Sequence, residues 1–345
     1  MKFRLGKQVD RKTEKEKVEE RREEVLSRGR KFKYPLQYAK HRLIINTIIV
    51  AVVAVMMLSL TGWLALYKFQ DMGDIMYRIS GIVPVPVAKV DGEAVKFSDY
   101  LMMARSSLKT MEQQSGLENG NIDKEAMTNR YKRTALSQAE DLTYALKLGG
   151  ELGIVVSDEE VKNAFDEHRR VGGAERSEES FLKVLNTNFG LSKSEYERML
   201  YLSLMRAKVE QKIDDQANRT AQTVAEMIAS GRGYVDIAGE LAGQVEYEET
   251  GGLIDNKNVD GGRSGVASGL EIGGHSGKVL SSNGDGYYFV QLLEKTETQV
   301  NYASLFVKFG EFDKRLSEVR EKGQVKEYII IEEIADSKPA EETTE

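Results

Sequence analysis

Residues 43–67 read LIINTIIVAVVAVMMLSLTGWLALY, 25 consecutive residues without a charged side chain. As an α-helix this segment is ~37 Å long, enough to cross a hydrocarbon core ~30 Å thick with some tilt. Trp63, Tyr67 and Tyr38 stand near its ends, where amphipathic rings favour the membrane interface. A cleaved signal peptide has a shorter apolar core and a short leader, whereas 42 residues precede this segment. The segment therefore predicts an uncleaved transmembrane helix.

The charges on the two sides of this helix differ in sign. Residues 1–42 contain 15 Lys and Arg against 7 Asp and Glu, a net charge of +8. The whole chain carries −6, so residues 68–345 carry −14. Because basic residues are retained on the cytoplasmic side, we expect a cytoplasmic basic tail at 1–42 and an acidic extracytoplasmic part after the span. The tail's cations are interleaved with acids, and the outer part is acidic, so the sequence favours no nucleic-acid partner.

The chain after the span predicts a linker at 68–86, a β-hairpin and then a series of helices. Asp91-Gly92 between short apolar alternations is typical of a hairpin turn. Capping boxes at Ser157–Glu160 and Ser192–Glu195 mark two helix starts, and the second helix is predicted to continue to about Ile228. A polar loop is expected at 116–123. Residues 87–220 are thus predicted to form a mainly helical domain.

A glycine-rich segment at 231–286 marks a change to turns and short strands. Strands are predicted at 277–281, 287–293, 300–309 and 325–334, with a helix at 311–322. The acidic end at 336–345 is predicted to be a disordered tail. The predicted fold is therefore a single transmembrane helix, an all-α domain at 87–220 and an α+β domain at 221–335.

No motif in the sequence predicts a catalytic or metal site. The chain has no cysteine and three histidines, so thiolate catalysis and Cys-ligated zinc are excluded. His275-Ser276 are neighbours in a glycine-rich turn, and adjacent strand residues point to opposite faces, so they do not suit a nucleophile and its base. An EF-hand-like start at Asn256 has Ala267 where calcium needs a bidentate Glu. We expect no cofactor and no metal.

Methionines concentrate in the predicted helical domain, where seven occur between Met102 and Met227, and none follows. Flexible thioether side chains suit a surface that accepts varied apolar chains, although at helical spacing they also suit a core. The sequence leaves both interpretations open.

Three segments of the helical region carry a family resemblance: Val87-Ala-Lys-Val-Asp-Gly-Glu93, Leu152-Gly-Ile-Val-Val-Ser-Asp-Glu-Glu-Val161 and Gly190-Leu-Ser-Lys-Ser-Glu-Tyr196. In these segments the region resembles the SurA/PrsA/PpiD group of membrane or periplasmic folding factors. It covers about 87–212 and is specific in order and spacing. The resemblance implies a chaperone domain that binds unfolded secreted chains.

Two segments of the following region carry a second resemblance, Gly251-Gly-Leu253 and Gly286-Tyr-Tyr-Phe-Val-Gln-Leu292. The region resembles a parvulin-type prolyl isomerase, because the first segment is similar to that family's "GG-x-L-G" turn and the second to its "G-Y-H-I-I-x-L" strand. Tyr288 stands where the family has histidine, and the "H-I-L-V" strand is missing before Ala221. A similar strand, Tyr302–Lys308, follows instead, with Leu305 in the histidine's place. It either fills the empty sheet position or begins a truncated second copy.

These observations predict a membrane-anchored, extracytoplasmic chaperone for unfolded exported polypeptides. The resemblance points to four groove residues that bind the client: Tyr234, Leu253, Tyr288 and Leu305. Two alternatives stay open, an active parvulin-type peptidyl-prolyl isomerase and a non-catalytic scaffold that docks one envelope partner. Because isomerisation about a peptide bond needs no acid or base in principle, loss of both histidines leaves the enzyme hypothesis standing.

Overall fold

The computed structural model describes residues 11–115, 124–171 and 174–332. The chain divides into one unit that ends at Phe69 and a compact unit that begins at Gln70. The predicted polar loop at 116–123 and the predicted tail at 336–345 lie outside the described residues.

The first unit is a long helix. α1 runs from Arg11 to Trp63 and continues as a π-helical turn, Leu64–Lys68. Within the described residues, His41–Lys68 is the one helix segment long and apolar enough to span a membrane, with a mean hydropathy of 2.7 and no buried side chain in its apolar 18-residue window. This finding is consistent with the predicted single-pass anchor.

The second unit begins with a short helix, a hairpin and a set of packed helices. The elements of this helical region are α2 (Asp74–Ile82), β1 (Pro86–Val90), β2 (Glu93–Lys96), α3 (Phe97–Ser115), α4 (Lys124–Glu151), α5 (Asp158–His168), β3 (Arg170–Val171), β4 (Ala174–Glu175), α6 (Glu178–Val184), a π-turn (Leu185–Phe189) and α7 (Lys193–Ile213). α3, α4 and α7 pack together as its centre. The predicted hairpin is present, since β1 and β2 pair in antiparallel fashion. Both capping boxes are also present: Ser157 and Ser192 each accept a hydrogen bond from the backbone of the glutamate three residues later.

The prediction of one continuous helix from 192 to about 228 is wrong, because the helix is interrupted at Asp214. α7 ends at Ile213 and α8 occupies Asp215–Ala229. The Asp214 carboxylate accepts hydrogen bonds from the backbone of Ala217 at 2.8 Å and of Gly310 at 2.7 Å. A capping side chain that satisfies free N–H groups at a new helix start competes with helix continuation. The sequence pattern did not reveal this because the second donor comes from 96 residues away.

An antiparallel sheet forms the centre of the α+β region. The elements of the region are α9 (Tyr234–Glu240), β5 (Glu246–Glu249), β6 (Ile254–Asp255), α10 (Arg263–Ser268), β7 (Val279–Leu280), β8 (Gly286–Lys295) and β9 (Gln299–Lys308). The strands of the sheet lie in the order β5-β9-β8-β7, and β6 pairs with β9. The strand that the sequence placed at 300–309 lies between β5 and β8, so it completes this sheet rather than beginning a second copy.

The two faces of the sheet are both covered. One face, with Phe289 and Leu305, packs against α8 and α9. The other face, with Tyr288 and Val290, packs against α10. Because side chains alternate along a strand, consecutive residues of β8 and β9 belong to different cores.

The end of the described chain returns to the first hairpin. α11 (Glu311–Glu321) places Phe312 against Tyr144 of α4, with ring centroids 5.5 Å apart. β10 (Val325–Glu327) ends before the predicted strand at 325–334, whose last two residues lie outside the described residues. It pairs with β1, giving a sheet of order β10-β1-β2. The boundary near residue 220 stays a prediction, but the strand assigned to the second domain joins the sheet of the first. The pairing partner of a strand is a long-range property that local pattern does not encode.

Candidate functional site

A groove lies between the helical region and the turn that precedes β8. It has a volume of ≈ 400 Å³. α3, α4 and α7 form one wall and residues 283–285 the other. Its lining residues are Met103, Gln138, Leu142, Met199, Ser203, Arg206, Ala207, Glu210, Asn283 and Asp285.

The turn approaches α7 closely because residue 284 is glycine. A Cβ atom on Gly284 would overlap the Cβ of Ala207, and the backbone there has φ +75°, a conformation that L side chains rarely adopt. A small residue on α7 and a glycine in the turn are therefore both needed to build this side of the groove.

The floor of the groove is apolar and contains two methionines. Met103 is buried, whereas Met199 and Leu142 are half-buried and so present part of their surface to the groove. Thioether side chains adapt to irregular apolar shapes. The floor can therefore contact apolar side chains of different shapes.

The rim of the groove is charged. Arg206 bonds Glu210 at 2.6 Å and Asp313 at 3.2 Å, and its guanidinium lies 4.9 Å from the ring centre of Phe312. Burial raises the pKa of Glu210, and Arg206 opposes that rise. Asp285 has one buried carboxylate oxygen without a hydrogen-bond partner in the described part of the chain. The rim therefore places charged side chains of both signs beside the apolar floor.

The four predicted groove residues do not share one surface. Tyr234 and Leu305 are fully buried in the core under α8 and α9. Tyr288 lies on the opposite face, because its cross-strand partner is Phe306, whereas Leu305 pairs with Phe289. Leu253 is half-buried next to β6. The prediction of a single groove formed by all four residues therefore needs correction, and the reason is the period of two along β8 and β9.

The face that contains Tyr288 carries a polar cluster that the sequence analysis did not identify. Tyr302 donates a hydrogen bond to Asp260 at 2.8 Å, and the Ser264 hydroxyl bonds the same carboxylate. Arg263 lies over the rings of Tyr288 and Phe306, at 5.5 and 5.0 Å from their centres. Burial raises the pKa of Tyr288, and the charge of Asp260 adds to the rise, so the hydroxyl stays protonated.

Ser304 is the β9 residue that belongs to the Tyr288 face at the level of Val290, its cross-strand partner. It is completely buried, and its hydroxyl has no hydrogen-bond partner within the described residues. Register thus puts Ser304, rather than the predicted Leu305, on the face that a site around Tyr288 would use.

The motif His275-Ser276 is structural. Ser276 Oγ accepts a hydrogen bond from the backbone of Val290 at 2.8 Å and donates one to the carbonyl of Gly277. The His275 ring packs against Tyr234 with centroids 5.5 Å apart. Among residues 11–115, 124–171 and 174–332, no group of three or more His, Asp or Glu side chains is arranged to hold a metal ion.

The groove and the polar cluster had weak signals in the sequence. The methionine distribution pointed toward α3 and α7, but not to the turn at 283–285 that faces them. Asp260 lies in the EF-hand-like segment that begins at Asn256, and its carboxylate accepts a hydrogen bond from the backbone of Ser264 in α10 at 3.1 Å. Its bond to Tyr302, 42 residues away, depends on sheet register and left no local pattern.

Comparison with known families and proteins gives two findings. The family model for the SurA-like N-terminal domain matches residues 35–210, just over half of the chain. This range includes the apolar segment of α1 and extends almost to the end of α7. No curated protein matches the chain.

Proposed function

Because the chain belongs to the SurA-like N-terminal domain family, we propose that it is a membrane-anchored chaperone that binds unfolded exported polypeptides outside the cytoplasm. The family match supports a chaperone-type folding factor. The proposal adds three features to this: the binding surface, the orientation in the membrane, and unfolded exported polypeptides as the class of client.

The observation that carries the proposal is the groove whose apolar floor contains Met103 and Met199 and whose rim is charged. A volume of ≈ 400 Å³ is in the range of binding pockets and holds a few side chains rather than a folded domain. An adaptable apolar floor gives contact without strict sequence preference, and Arg206, Glu210 and Asp285 supply polar partners for a peptide backbone. Binding of this kind is weak and promiscuous.

The orientation follows from charge. Residues 1–42 carry +8 and lie before the apolar segment, so the positive-inside rule puts them in the cytoplasm and residues after Lys68 outside. Since the chain has no cysteine, single cysteines test this directly. A membrane-impermeant maleimide applied to intact cells should label Val259→Cys and should label Ser27→Cys only after lysis. The reverse pattern would refute the extracytoplasmic location.

The client surface is tested by blocking the groove. Ser203 lines the groove and is exposed, so Ser203→Trp fills part of the groove with a large side chain without removing a core contact. We expect the full-length variant in detergent to bind reduced, carboxymethylated α-lactalbumin, a permanently unfolded client, several times more weakly than wild type. Ser203→Ala is the matched control and should bind like wild type. Equal binding by all three proteins would remove the groove from the proposal.

A second candidate function is peptidyl-prolyl isomerase activity in a parvulin-like domain with permuted strand order. The central position of β9 next to β8 favours it, together with the aromatic side chains of Tyr288 and Phe306 beneath Arg263. Such a site would act by desolvating and twisting the amide against a barrier of ~20 kcal/mol. Faster refolding of a proline-limited substrate, lost in Tyr288→Ala, would support the enzyme. Suppressed aggregation without that acceleration would support the chaperone alone.

A scaffold with one specific envelope partner remains the third hypothesis. It predicts neither acceleration nor suppression of aggregation, and one tight partner in pull-down experiments. The same two assays therefore separate all three hypotheses.

A further inference from the structure

The short helix α2 turns an apolar face outward. Ile75, Ile79 and Ile82 follow one another at spacings of four and three, so they lie on one side of the helix. Their side chains are 71%, 41% and 84% exposed, and the next residue, Val83, is 50% exposed.

The other face of α2 is held by polar and aromatic contacts. The Arg105 guanidinium lies 5.1 Å from the ring centre of Tyr77, and Arg105 pairs with Glu195 at 3.3 Å. Burial raises the pKa of Tyr77 to about 12, and the negative charge of Glu195 adds to the rise. Ser80 is also buried on this side. A helix facing water normally shows the reverse arrangement, with apolar residues inward and polar residues outward.

The chain itself limits how far α2 can be from a bilayer. The helix segment long enough to span a membrane ends at Lys68 and α2 begins at Asp74, so the five residues 69–73 form the connector. Fully extended, they reach at most about 17 Å. The exposed Arg78 stands between Ile75 and Ile82 in the helix and can pair with lipid phosphate.

We propose that α2 is an interfacial helix that lies on the extracytoplasmic leaflet, with Ile75, Ile79 and Ile82 inserted at the boundary of headgroups and acyl chains. Amphipathic helices bind in this position with the apolar side buried by about 5–10 Å. The contact fixes the compact unit against the membrane at the point where the chain emerges. This inference rests on the membrane anchor of the proposed function and adds a second attachment to it.

The absence of cysteine in the chain makes a direct test practical. Single-cysteine variants of the full-length protein at Ile79 and Ile82 are labelled with a nitroxide and reconstituted in vesicles of phosphatidylcholine and phosphatidylglycerol. Collision with oxygen reports lipid contact, and collision with a water-soluble nickel complex reports water. Leu58→Cys in the span is the lipid control, and Val259→Cys, at a residue that is 96% exposed, is the water control.

We expect oxygen-to-nickel collision ratios at Ile79 and Ile82 that are several times higher than at Val259. Replacing Arg78 with Gln should lower the ratio in these vesicles and have less effect in vesicles of phosphatidylcholine alone.

Ratios equal to that of Val259, with Leu58 in lipid, would overturn the inference while leaving the anchor intact. If Leu58 itself contacts water, both the anchor and the inference fail. Spin–spin broadening at Ile82 that disappears on dilution with unlabelled protein would assign the face to a second copy. A change seen only after adding unfolded α-lactalbumin would assign it to the client. Either result would also refute the lipid contact.

Discussion

The Glu140 carboxyl group makes the stability of the folded unit depend on pH. Glu140 lies on α4, is 4% exposed and has one carboxylate oxygen without a hydrogen-bond partner among the described residues. Its nearest cation is Arg320 of α11, at 3.7 Å. Burial raises the pKa of Glu140 from 4.5 to about 7, the nearby Glu327 adds to the rise, and Arg320 opposes it.

The magnitude follows from this shift. In the unfolded chain the carboxyl group ionises near pH 4.5, but in the folded protein it holds its proton to about pH 7. Glu140 therefore lowers the free energy of unfolding as the pH rises from about 4.5 to 7, and its contribution is constant at higher pH. A difference of about 2.5 pKa units corresponds to about 3.5 kcal/mol at most, at about 1.4 kcal/mol per unit.

Glu140→Gln removes the ionisation and keeps the side-chain volume. We expect the variant to be more stable than wild type by about 3 kcal/mol at pH 8 and by less than about 1 kcal/mol at pH 5. The measurement is urea unfolding of the full-length proteins in neutral detergent, followed by circular dichroism at several pH values. Glu159→Gln, at an exposed glutamate on α5, is the matched control and should follow wild type across the range. An equal difference between Glu140→Gln and wild type at both pH values would refute the reasoning, because it would show that the carboxyl group is not protonated by burial.

Three further substitutions test the contacts that assemble the compact unit. Asp214→Ala leaves backbone N–H groups at the starts of α8 and α11 without their acceptor, so it should cost about 2–4 kcal/mol of unfolding free energy by urea titration; an unchanged midpoint would mean that water replaces the carboxylate. Gly284→Ala brings a Cβ against Ala207 at a positive φ, and we expect a loss of about 1–3 kcal/mol together with weaker binding of unfolded α-lactalbumin; full client binding would show that the turn is not part of the surface. Arg198→Lys replaces the two hydrogen bonds to Asp99, at 3.1 and 2.8 Å, by a single contact, which should lower stability by about 1–2 kcal/mol. Retention of wild-type stability in the lysine variant would indicate that charge alone matters at this position.

Local structure was predictable where neighbouring residues decide it. The apolar run at 43–67, the Asp91-Gly92 turn and the capping boxes at Ser157 and Ser192 each depend on residues within a few positions, and each corresponds to an observed element. The break at Asp214 was missed because its carboxylate is shared with the backbone of Gly310.

The candidate sites were less predictable for the same reason. The resemblance identified Leu305 on β9, which is one residue away from the β9 positions on the same side of the sheet as Tyr288. A shift of one residue along a strand moves the side chain to the other face of the sheet. Ser304 therefore lies on the Tyr288 side of the sheet, whereas the predicted Leu305 lies on the opposite side. The groove needs Met199 on α7 and Gly284 in a turn 85 residues later, and no local pattern connects them.

The amino-acid sequence by itself determined that an uncharged segment separates a basic tail from an acidic bulk, and that helices precede a glycine-rich α+β region. Hydropathy, charge and capping act over one or two helical turns, so they can be read directly along the chain. Tertiary structure alone decided that β9 takes the central position in the sheet and that β10 joins the first hairpin. It also decided that the isoleucine side chains of α2 are exposed on the surface of the folded unit. These features depend on which surfaces meet after the chain has folded back on itself, and the free energy of such contacts belongs to pairs of residues far apart in sequence.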